Sequence, residues 1–123
     1  MREILFRAKK NYGDGEWIEG VPIQCYDGDW QMVTDCSKTM IDIETIGQYT
    51  ELTDKNDKKL FEGDIIKGKV HTYNGYRVRN GVITFHDGGY YIKVKDEYKN
   101  TPYSKDFKII GNIHDNPELL ADL

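Results

Sequence analysis

Two pairs of adjacent side chains have types that carry out acid–base chemistry, His86-Asp87 and His114-Asp115. A catalytic nucleophile needs a base within hydrogen-bond reach, and a hydrolytic metal site needs three ligands. Both pairs stand in turn-like stretches, where such residues are common, and no further polar residues cluster in sequence to complete a site. We therefore expect no enzymatic activity and no catalytic residues.

A third candidate is the segment Glu62-Gly63-Asp64, whose two carboxylates could face a metal ion. The same pattern is typical of a turn in which the aspartate accepts hydrogen bonds from backbone N–H groups. Gly63 is then expected at a positive φ, which other residues resist. The sequence predicts a structural turn here rather than a metal site.

Metal and cofactor sites have little support elsewhere in the chain. The three histidines are scattered without metal-ligand spacing, and no Cys-x-x-Cys motif is present. Cys25 and Cys36 are expected to be reduced thiols, since a cytosolic location disfavours disulfides. We expect neither a metal nor a cofactor.

The segment from Ile65 through His86 contains no acidic residue. Its cations and two tyrosines are interleaved: Lys67, Lys69, Tyr73, Tyr76, Arg77 and Arg79. Cations that follow phosphates, with aromatic rings stacked on bases, are how small β-barrels bind single strands. The spacing also fits the polar outer faces of two strands, and the isoelectric point of 5.3 is low for a dedicated binder. Nucleic-acid binding by this segment is therefore the alternative function.

The leading prediction is a protein–protein or self-association module. Nine Tyr and two Trp exceed what the core of a short chain needs, and Tyr, Trp and Arg anchor interfaces. Small β domains also carry aromatic residues on both faces, which accounts for part of this excess. The expected partner is a protein of a phage or its host, or a second copy of the chain.

Length and charge place these residues in a small folded protein. The chain has 123 residues, of which 38% are hydrophobic and 31% charged, with a net charge of −4, which excludes a disordered chain. Residues 1–50 carry five basic and nine acidic side chains, whereas residues 51–113 carry twelve basic and nine acidic ones. No apolar stretch approaches a membrane span and no signal peptide is evident, so we expect a cytoplasmic protein.

The first half of the sequence predicts a β-meander. Alternating or extended patterns, separated by glycine-containing turns, indicate strands at 1–7, 17–23, 30–34 and 40–43. Pro22 predicts that the second of these is an edge strand or contains a bulge. The chain then turns at 54–58, where Asn56 suits the left-handed conformation.

The second half predicts a small SH3-like barrel. A strand follows Gly63-Asp64, a loop covers 71–76, a hairpin pairs 77–85 with 89–95, and a last strand covers 107–113. Asn116, Pro117 and Glu118 favour the start of a short C-terminal helix. The predicted fold is mainly β: an N-terminal meander, residues 1–47, packed on a barrel with the C-terminal helix, residues 48–123.

Three stretches together resemble the YopX family of small proteins, found mainly in phages and prophages of Gram-positive bacteria. They are the N-terminal Met-Arg-Glu-Ile-Leu-Phe-Arg with Trp17-Ile18-Glu19-Gly20, the segment from Thr45 to Ile66, and the segment from Ile110 to Leu120. The resemblance assigns motif positions that we expect to be structural: Gln48, Tyr49, Thr50, Glu62, Gly63, Asp64, Gly111, Asn112, Asn116 and Pro117.

This chain departs from the family pattern at two turns. Members often have Gly where it has Glu51, and Asn-Gly where it has Asn56-Asp57. The resemblance implies a β-rich fold and a phage-encoded origin in a bacterial host. It supplies no catalytic residues.

Overall fold

The computed structural model describes residues 4–73, 75–94, 97–100 and 107–122; for 69–72, 76, 77, 94, 97–100 and 120–122 it describes the backbone alone. Ten strands and one 3₁₀ helix account for most of this part: β1 (Phe6–Lys10), β2 (Trp17–Gln24), β3 (Trp30–Val33), β4 (Lys38–Thr53), β5 (Lys59–Phe61), β6 (Asp64–Thr72), β7 (Gly75–His86), β8 (Gly89–Val94), β9 (Glu97–Asn100), β10 (Lys108–Asn112) and the 3₁₀ helix Pro117–Asp122. The mainly β fold is confirmed. None of the described helices is long enough to cross a bilayer.

The chain divides into two compact units, Met1–Tyr49 and Thr50–Leu123. In unit 1, β1 pairs with β2, β2 with β3, β3 with β4, and β4 again with β1, all antiparallel, so that the four strands close a ring. Inside it pack Ala8, Met32 and Ile41, with Phe6, Ile18, Trp30, Ile43 and Ile46 around them.

Strand β2 changes partner at its middle, because Trp17 to Gly20 pair with β1 and Val21 to Gln24 pair with β3. Gly20 is required at this point, since a Cβ there would overlap the Val33 carbonyl oxygen and lie 2.9 Å from Met32 Cγ. Among the described strands, the half that contains Pro22 is paired on one side only, and on the other side the missing N–H of proline costs no ladder hydrogen bond.

In unit 2, the end of β4 pairs with β5, and a second antiparallel sheet has the strand order β10-β6-β7-β8-β9. Its inner face carries a core of Leu60, Ile66, Ile83, Ile92 and Phe107, against which Leu52, Tyr90 and Ile109 pack. The pairings of this sheet form an open order among the described strands. Its closure as an SH3-like barrel stays a prediction.

Several expected boundaries were wrong. The strand expected at 40–43 extends over Lys38–Thr53, and the loop expected at 71–76 is largely strand, because Thr72 pairs with Gly75. In the turn at 54–58 the left-handed residue is Asp57, with φ +60°, rather than Asn56. The short C-terminal helix was predicted correctly and is a 3₁₀ helix of six residues. The division between the units that the sequence placed at 47/48 stays a prediction.

Candidate functional site

The two histidine–aspartate pairs lie on turns and are held by structural contacts. His86 Nε2 lies 3.2 Å from Asp87 Oδ2 in an exposed contact. The backbone N–H groups of His114 and Asp115 both donate to the side-chain oxygen of Asn112, at 3.0 and 2.9 Å. Within the described ranges, no three histidine, cysteine or acidic side chains come together as a metal site. These pairs form surface and turn contacts.

The segment Glu62-Gly63-Asp64 is a tight turn between β5 and β6. Gly63 has φ +90°, as predicted, and buried Asp64 accepts a 2.8 Å hydrogen bond through Oδ2 from the Phe61 N–H. The Gly63 N–H donates a hydrogen bond to the Ile83 carbonyl, and the Gly63 carbonyl accepts one from the Ile113 N–H, both at 2.9 Å. The turn therefore ties β7 to the end of β10.

Glu62 has a raised pKa because partial burial removes water from its carboxylate. A hydrogen bond from the Phe85 backbone N–H offsets part of that effect. A raised pKa in a half-buried carboxylate is a feature of some catalytic acids, but a partner group is needed to make it one. Its neighbour Asp64 is engaged by the turn itself, through the hydrogen bond that it accepts from the Phe61 N–H.

The C-terminal motif residues form a second hydrogen-bonded turn. The Asn116 side-chain oxygen accepts a hydrogen bond of 3.2 Å from the Asn112 N–H, and the Asn116 N–H donates to the Asn112 carbonyl at 2.9 Å. Gly111 lies directly beneath Asn116, whose Cγ would be 2.8 Å from an added Cβ. Pro117 then begins the 3₁₀ helix. This arrangement explains the glycine at 111 and assigns the motif to folding.

The remaining motif residues, Gln48, Tyr49 and Thr50, belong to the middle of β4. Gln48 pairs with Phe6, and the Tyr49 N–H donates to the Leu5 carbonyl at 2.8 Å, both within unit 1. The Thr50 hydroxyl donates to the Leu60 carbonyl at 2.9 Å within unit 2. Gln48 and Tyr49 through their backbones, and Thr50 through its hydroxyl, therefore connect β4 to neighbouring segments of the chain.

Sequence reasoning missed the role of Asp54, which is fully buried. Its Oδ1 accepts hydrogen bonds from the N–H groups of Asn56 and Lys58, and its Oδ2 accepts one from Ile109. Burial raises the pKa of this carboxyl, but the three backbone donors and the Lys58 charge outweigh burial and leave the pKa below its ordinary value. An aspartate that opens a polar turn was the available signal.

The basic segment does not form one groove. In a sheet, residues that pair across strands share a face, and successive residues along a strand alternate between faces. Lys67 pairs with Asn80, and Arg79 pairs with Gly68, the residue after Lys67. Lys67 therefore lies on the outer face of the second sheet, and Arg79 lies on the inner face, beyond the core. Positions 69 and 76 continue the outer row and position 77 the inner one in the backbone register. Tyr73 lies at the hairpin end and is fully exposed.

The register adds two cations to the outer face that the sequence analysis did not select. Lys108 on β10 is the direct partner of Lys67, and both are exposed. Lys93 on β8 pairs with Val82, which places it on the same face. Among the described residues, neither Lys67 nor Lys108 has an acidic partner. Alternation along the end of β8, Tyr-Ile-Lys-Val, was the signal that could have found Lys93. The sequence of β10, Lys-Ile-Ile-Gly-Asn, carries no such signal for Lys108.

Aromatic side chains accompany these lysines. Tyr91 pairs with Thr84 on the outer face, and its ring meets that of His86 edge to face, with centroids 6.3 Å apart. By register, His71, Tyr76 and Tyr98 also occupy outer positions. We call the outer face of the second sheet, with Lys67, Lys93, Lys108, Tyr91 and His86 as its described members, the basic face. On this face, the described sheet positions carry no carboxylate.

Unit 1 offers two other surfaces. A cleft of about 600 Å³ is lined by Lys10, Tyr12, Asp14, Asp29, Trp30 and Asp42, among others. On β2, Val21 and Ile23 lie two positions apart and are both exposed, at 47% and 38%. Trp17, further along the same face, is covered by the Arg7 guanidinium, 4.7 Å from its ring centroid. Cys25 and Cys36 are not joined in a disulfide.

Comparison with known proteins gives a family and a fold. A family model described as YopX protein matches residues 6–121. The crystal structure of protein EF1440 from Enterococcus faecalis is similar to this chain, with a TM-score of 0.59 and 25% sequence identity, over 96% of this chain and 98% of that one. The search of curated proteins finds no match.

Proposed function

This chain belongs to the YopX family, and on that premise we propose that it is a non-enzymatic module that binds nucleic acid through its basic face. The observation that supports the proposal is the direct pairing of Lys67 with Lys108 on adjacent strands. Like charges directly opposite each other in a sheet are destabilising, by roughly 0.2–1 kcal/mol. A phosphate between the two ammonium groups turns that cost into an attraction.

The rest of the basic face fits the same ligand. Lys93 supplies a third cation on β8, on the far side of β7 from Lys67. The three lysines are therefore spread across strands β10, β6 and β8, and can contact successive phosphates along a nucleic-acid backbone. Tyr91 and His86 offer rings on which bases can stack, and each such contact contributes about 1–3 kcal/mol in single-strand complexes. Acidic side chains outnumber basic ones by nine to five in residues 1–50, whereas basic side chains outnumber acidic ones by twelve to nine in residues 51–113, which contain the basic face.

Three lysine–phosphate contacts predict modest affinity with a clear dependence on salt. Each contact contributes about −0.7 to the slope of log K against log salt for single strands, so the total slope is about −2. We expect a Kd of about 100 μM at physiological salt, at the weak end of non-specific binding, and about fifty-fold tighter binding at 20 mM salt.

Fluorescence anisotropy with labelled 20-mers tests the proposal, using Lys67→Glu plus Lys108→Glu as the variant. This variant is expected to lose binding at low salt. Lys38→Glu plus Lys55→Glu, two exposed lysines off the basic face with the same change in charge, is the control and should bind almost as the natural chain does. Equal loss in both variants would mean that net charge alone governs binding and would refute a defined face.

A second candidate function is protein–protein or self-association, favoured by the exposed pair Val21 and Ile23 on β2. Apolar residues at the centre of a protein interface are buried by the partner, and Trp17 nearby is a typical anchor. Light scattering after size exclusion tests self-association. Concentration-dependent dimers that Val21→Lys plus Ile23→Lys abolishes would support it, and a monomer at all concentrations would exclude a homo-oligomer.

The setting of either function is also a proposal. Family resemblance supports a phage or prophage origin and a role in the cytoplasm of a bacterial host, where a nucleic acid or a protein of phage or host is within reach. Fractionation of host cells that express the protein from its natural locus tests the location. Recovery in the cytoplasmic fraction is the expected result.

A further inference from the structure

The cleft of unit 1 is bordered by two turns and by strand β4. The turn between β1 and β2 contributes Tyr12 and Asp14 to its lining, and the turn between β2 and β3 contributes Asp29. Trp30 on β3 and Asp42 on β4 also line it. Its volume of about 600 Å³ lies within the range of small-molecule sites in proteins, roughly 300–1,000 Å³. The cleft is therefore large enough for a small organic ligand.

The charge of the cleft favours a cation. Asp14, Asp29 and Asp42 come from three different segments of the chain, and all three are exposed. Lys10 is the basic residue of the lining, and its Nζ lies 3.4 Å from Glu16 Oε2 in an ion pair. Because Glu16 balances the charge of Lys10, the three aspartates leave the cleft with a net negative charge.

The spacing of the three carboxylates favours an extended cation. A hard metal ion such as Ca²⁺ binds oxygen atoms at about 2.3–2.6 Å, so its ligands must converge on one point. In the described ranges, which contain the whole lining of the cleft, no three acidic, histidine or cysteine side chains converge in this way. A ligand that contacts all three aspartates must therefore carry several positive charges along its length.

Aromatic rings lie between these charges. Tyr12 is 55% exposed, and Trp30 is half-buried. The Lys10 Nζ lies 5.9 Å from the centroid of the Tyr12 ring, within the distance at which the face of a ring attracts an ammonium group. The chain thus already holds one alkylammonium group between an aromatic ring and the Glu16 carboxylate. A ligand of the same chemistry can also bury its methylene groups on the rings, as lysine stems do on apolar surfaces.

We propose that this cleft binds a linear polyamine, an alkane chain that carries two or more ammonium groups. The ammonium groups pair with Asp14, Asp29 and Asp42, and the methylene groups lie against Tyr12 and Trp30. Each exposed ion pair contributes little by itself, so the affinity depends on several pairs that form together. The proposal is independent of nucleic-acid binding, because the cleft belongs to unit 1 and the basic face to unit 2.

Isothermal titration calorimetry at low salt tests the proposal with four probes. Butylamine, putrescine and spermidine carry one, two and three ammonium groups, and hexaamminecobalt(III) is a compact ion with the charge of spermidine. Spermidine is expected to bind with a Kd of about 0.1–1 mM, the range of a small ligand of ordinary efficiency. Its binding should be about tenfold tighter than that of butylamine, with putrescine between them.

The compact ion separates shape from charge. Spermidine should bind about fivefold more tightly than hexaamminecobalt(III), which cannot reach distant carboxylates or pack methylene groups on the rings. Equal affinity of the two would mean that charge alone governs binding and would overturn the proposal. Tighter binding of dilysine amide, a peptide with the charge of spermidine, would assign the cleft to a basic protein segment and would also overturn it.

Variants locate the site. Asp14→Asn plus Asp29→Asn should weaken spermidine binding about tenfold. Glu19→Gln plus Asp35→Asn changes the net charge equally at two exposed positions outside the cleft, and should leave binding within about twofold. Tyr12→Ala, at an exposed position, should weaken spermidine binding about threefold. Equal loss in the two double variants, or no spermidine binding by the natural chain, would refute a polyamine site in the cleft.

Discussion

Asp54 accepts a 3.0 Å hydrogen bond through Oδ2 from the backbone N–H of Ile109, fifty-five positions later in the chain. Its other oxygen holds the N–H groups of Asn56 and Lys58 in the turn after β4. One buried carboxylate therefore satisfies three backbone donors and joins the start of unit 2 to its last strand. The contact explains why an aspartate is tolerated with no exposed surface.

Removing this carboxylate should be costly. Asp54→Ala leaves three backbone N–H groups without their acceptor, and each buried unsatisfied donor costs about 1–3 kcal/mol. Partial relaxation lowers the sum, so we expect a loss of about 3–5 kcal/mol in the free energy of unfolding, measured with urea. Asp35→Ala, at an exposed position, is the control and should change stability by less than about 0.5 kcal/mol. Equal stability of the two variants would refute the role of Asp54.

The lowered pKa of Asp54 predicts a dependence on acid. Because the pKa is lower in the folded state than in the unfolded one, ionised Asp54 stabilises the fold above the unfolded pKa, and this contribution is lost as pH falls through the folded pKa. Asp54→Asn should be about 1–2 kcal/mol less stable than the natural chain at pH 7. The gap should narrow below about pH 4. A gap that is constant from pH 7 to pH 3 contradicts the assignment.

Gly63 should tolerate no side chain, for a conformational reason. An added Cβ would lie 3.6 Å from Ile113 Cγ1, which is ordinary contact, so space is sufficient. The strain comes from φ +90°, which β-branched residues resist most. Gly63→Val should lower the free energy of unfolding by about 1–3 kcal/mol. An unchanged melting temperature would show that the turn has an ordinary conformation.

The two positions at which this chain departs from the family pattern are both left-handed. Glu51 has φ +74° and Asp57 has φ +60°, where relatives often have glycine. A left-handed backbone conformation costs an L residue other than glycine roughly 1–2 kcal/mol. Replacement by glycine removes this cost, but the greater freedom of glycine in the unfolded state cancels part of the gain in stability. Glu51→Gly is therefore expected to raise stability by about 0.5–1 kcal/mol. Glu44→Gly, in the same strand outside the left-handed region, is the control and should lower it.

Local patterns predicted most strands but not the length of β4. The alternation expected at 40–43 breaks near Thr45, whose hydroxyl donates to the Asp42 carbonyl and accepts from the Lys9 N–H. The pairing with β1 shifts register opposite this point. This bulge depends on Lys9, far away in the sequence, and interrupts the alternation of polar and apolar residues along β4. The sequence pattern therefore indicates a short strand where the structure has one long strand.

The candidate site was half predictable for a similar reason. The absence of acidic residues from Ile65 to His86 is visible in the sequence, and so is the interleaving of cations with tyrosines. Which face each cation occupies depends on hairpin register, and one residue of slip moves every side chain to the other face. The pairing of Thr72 with Gly75 fixes that register, and the partnership of Lys67 with Lys108 depends on β10, some forty positions away.

A titration of ¹⁵N-labelled protein with DNA at low salt, followed by amide chemical shifts, tests nucleic-acid binding by the basic face residue by residue. Single-stranded and duplex DNA are titrated separately, so that either ligand can report on the surface. We expect the largest shifts at Lys67, Lys93 and Lys108, and no shifts at Val21 and Ile23 in unit 1. Shifts confined to Val21, Ile23 and their neighbours, or no shifts with either DNA, would contradict nucleic-acid binding by the basic face.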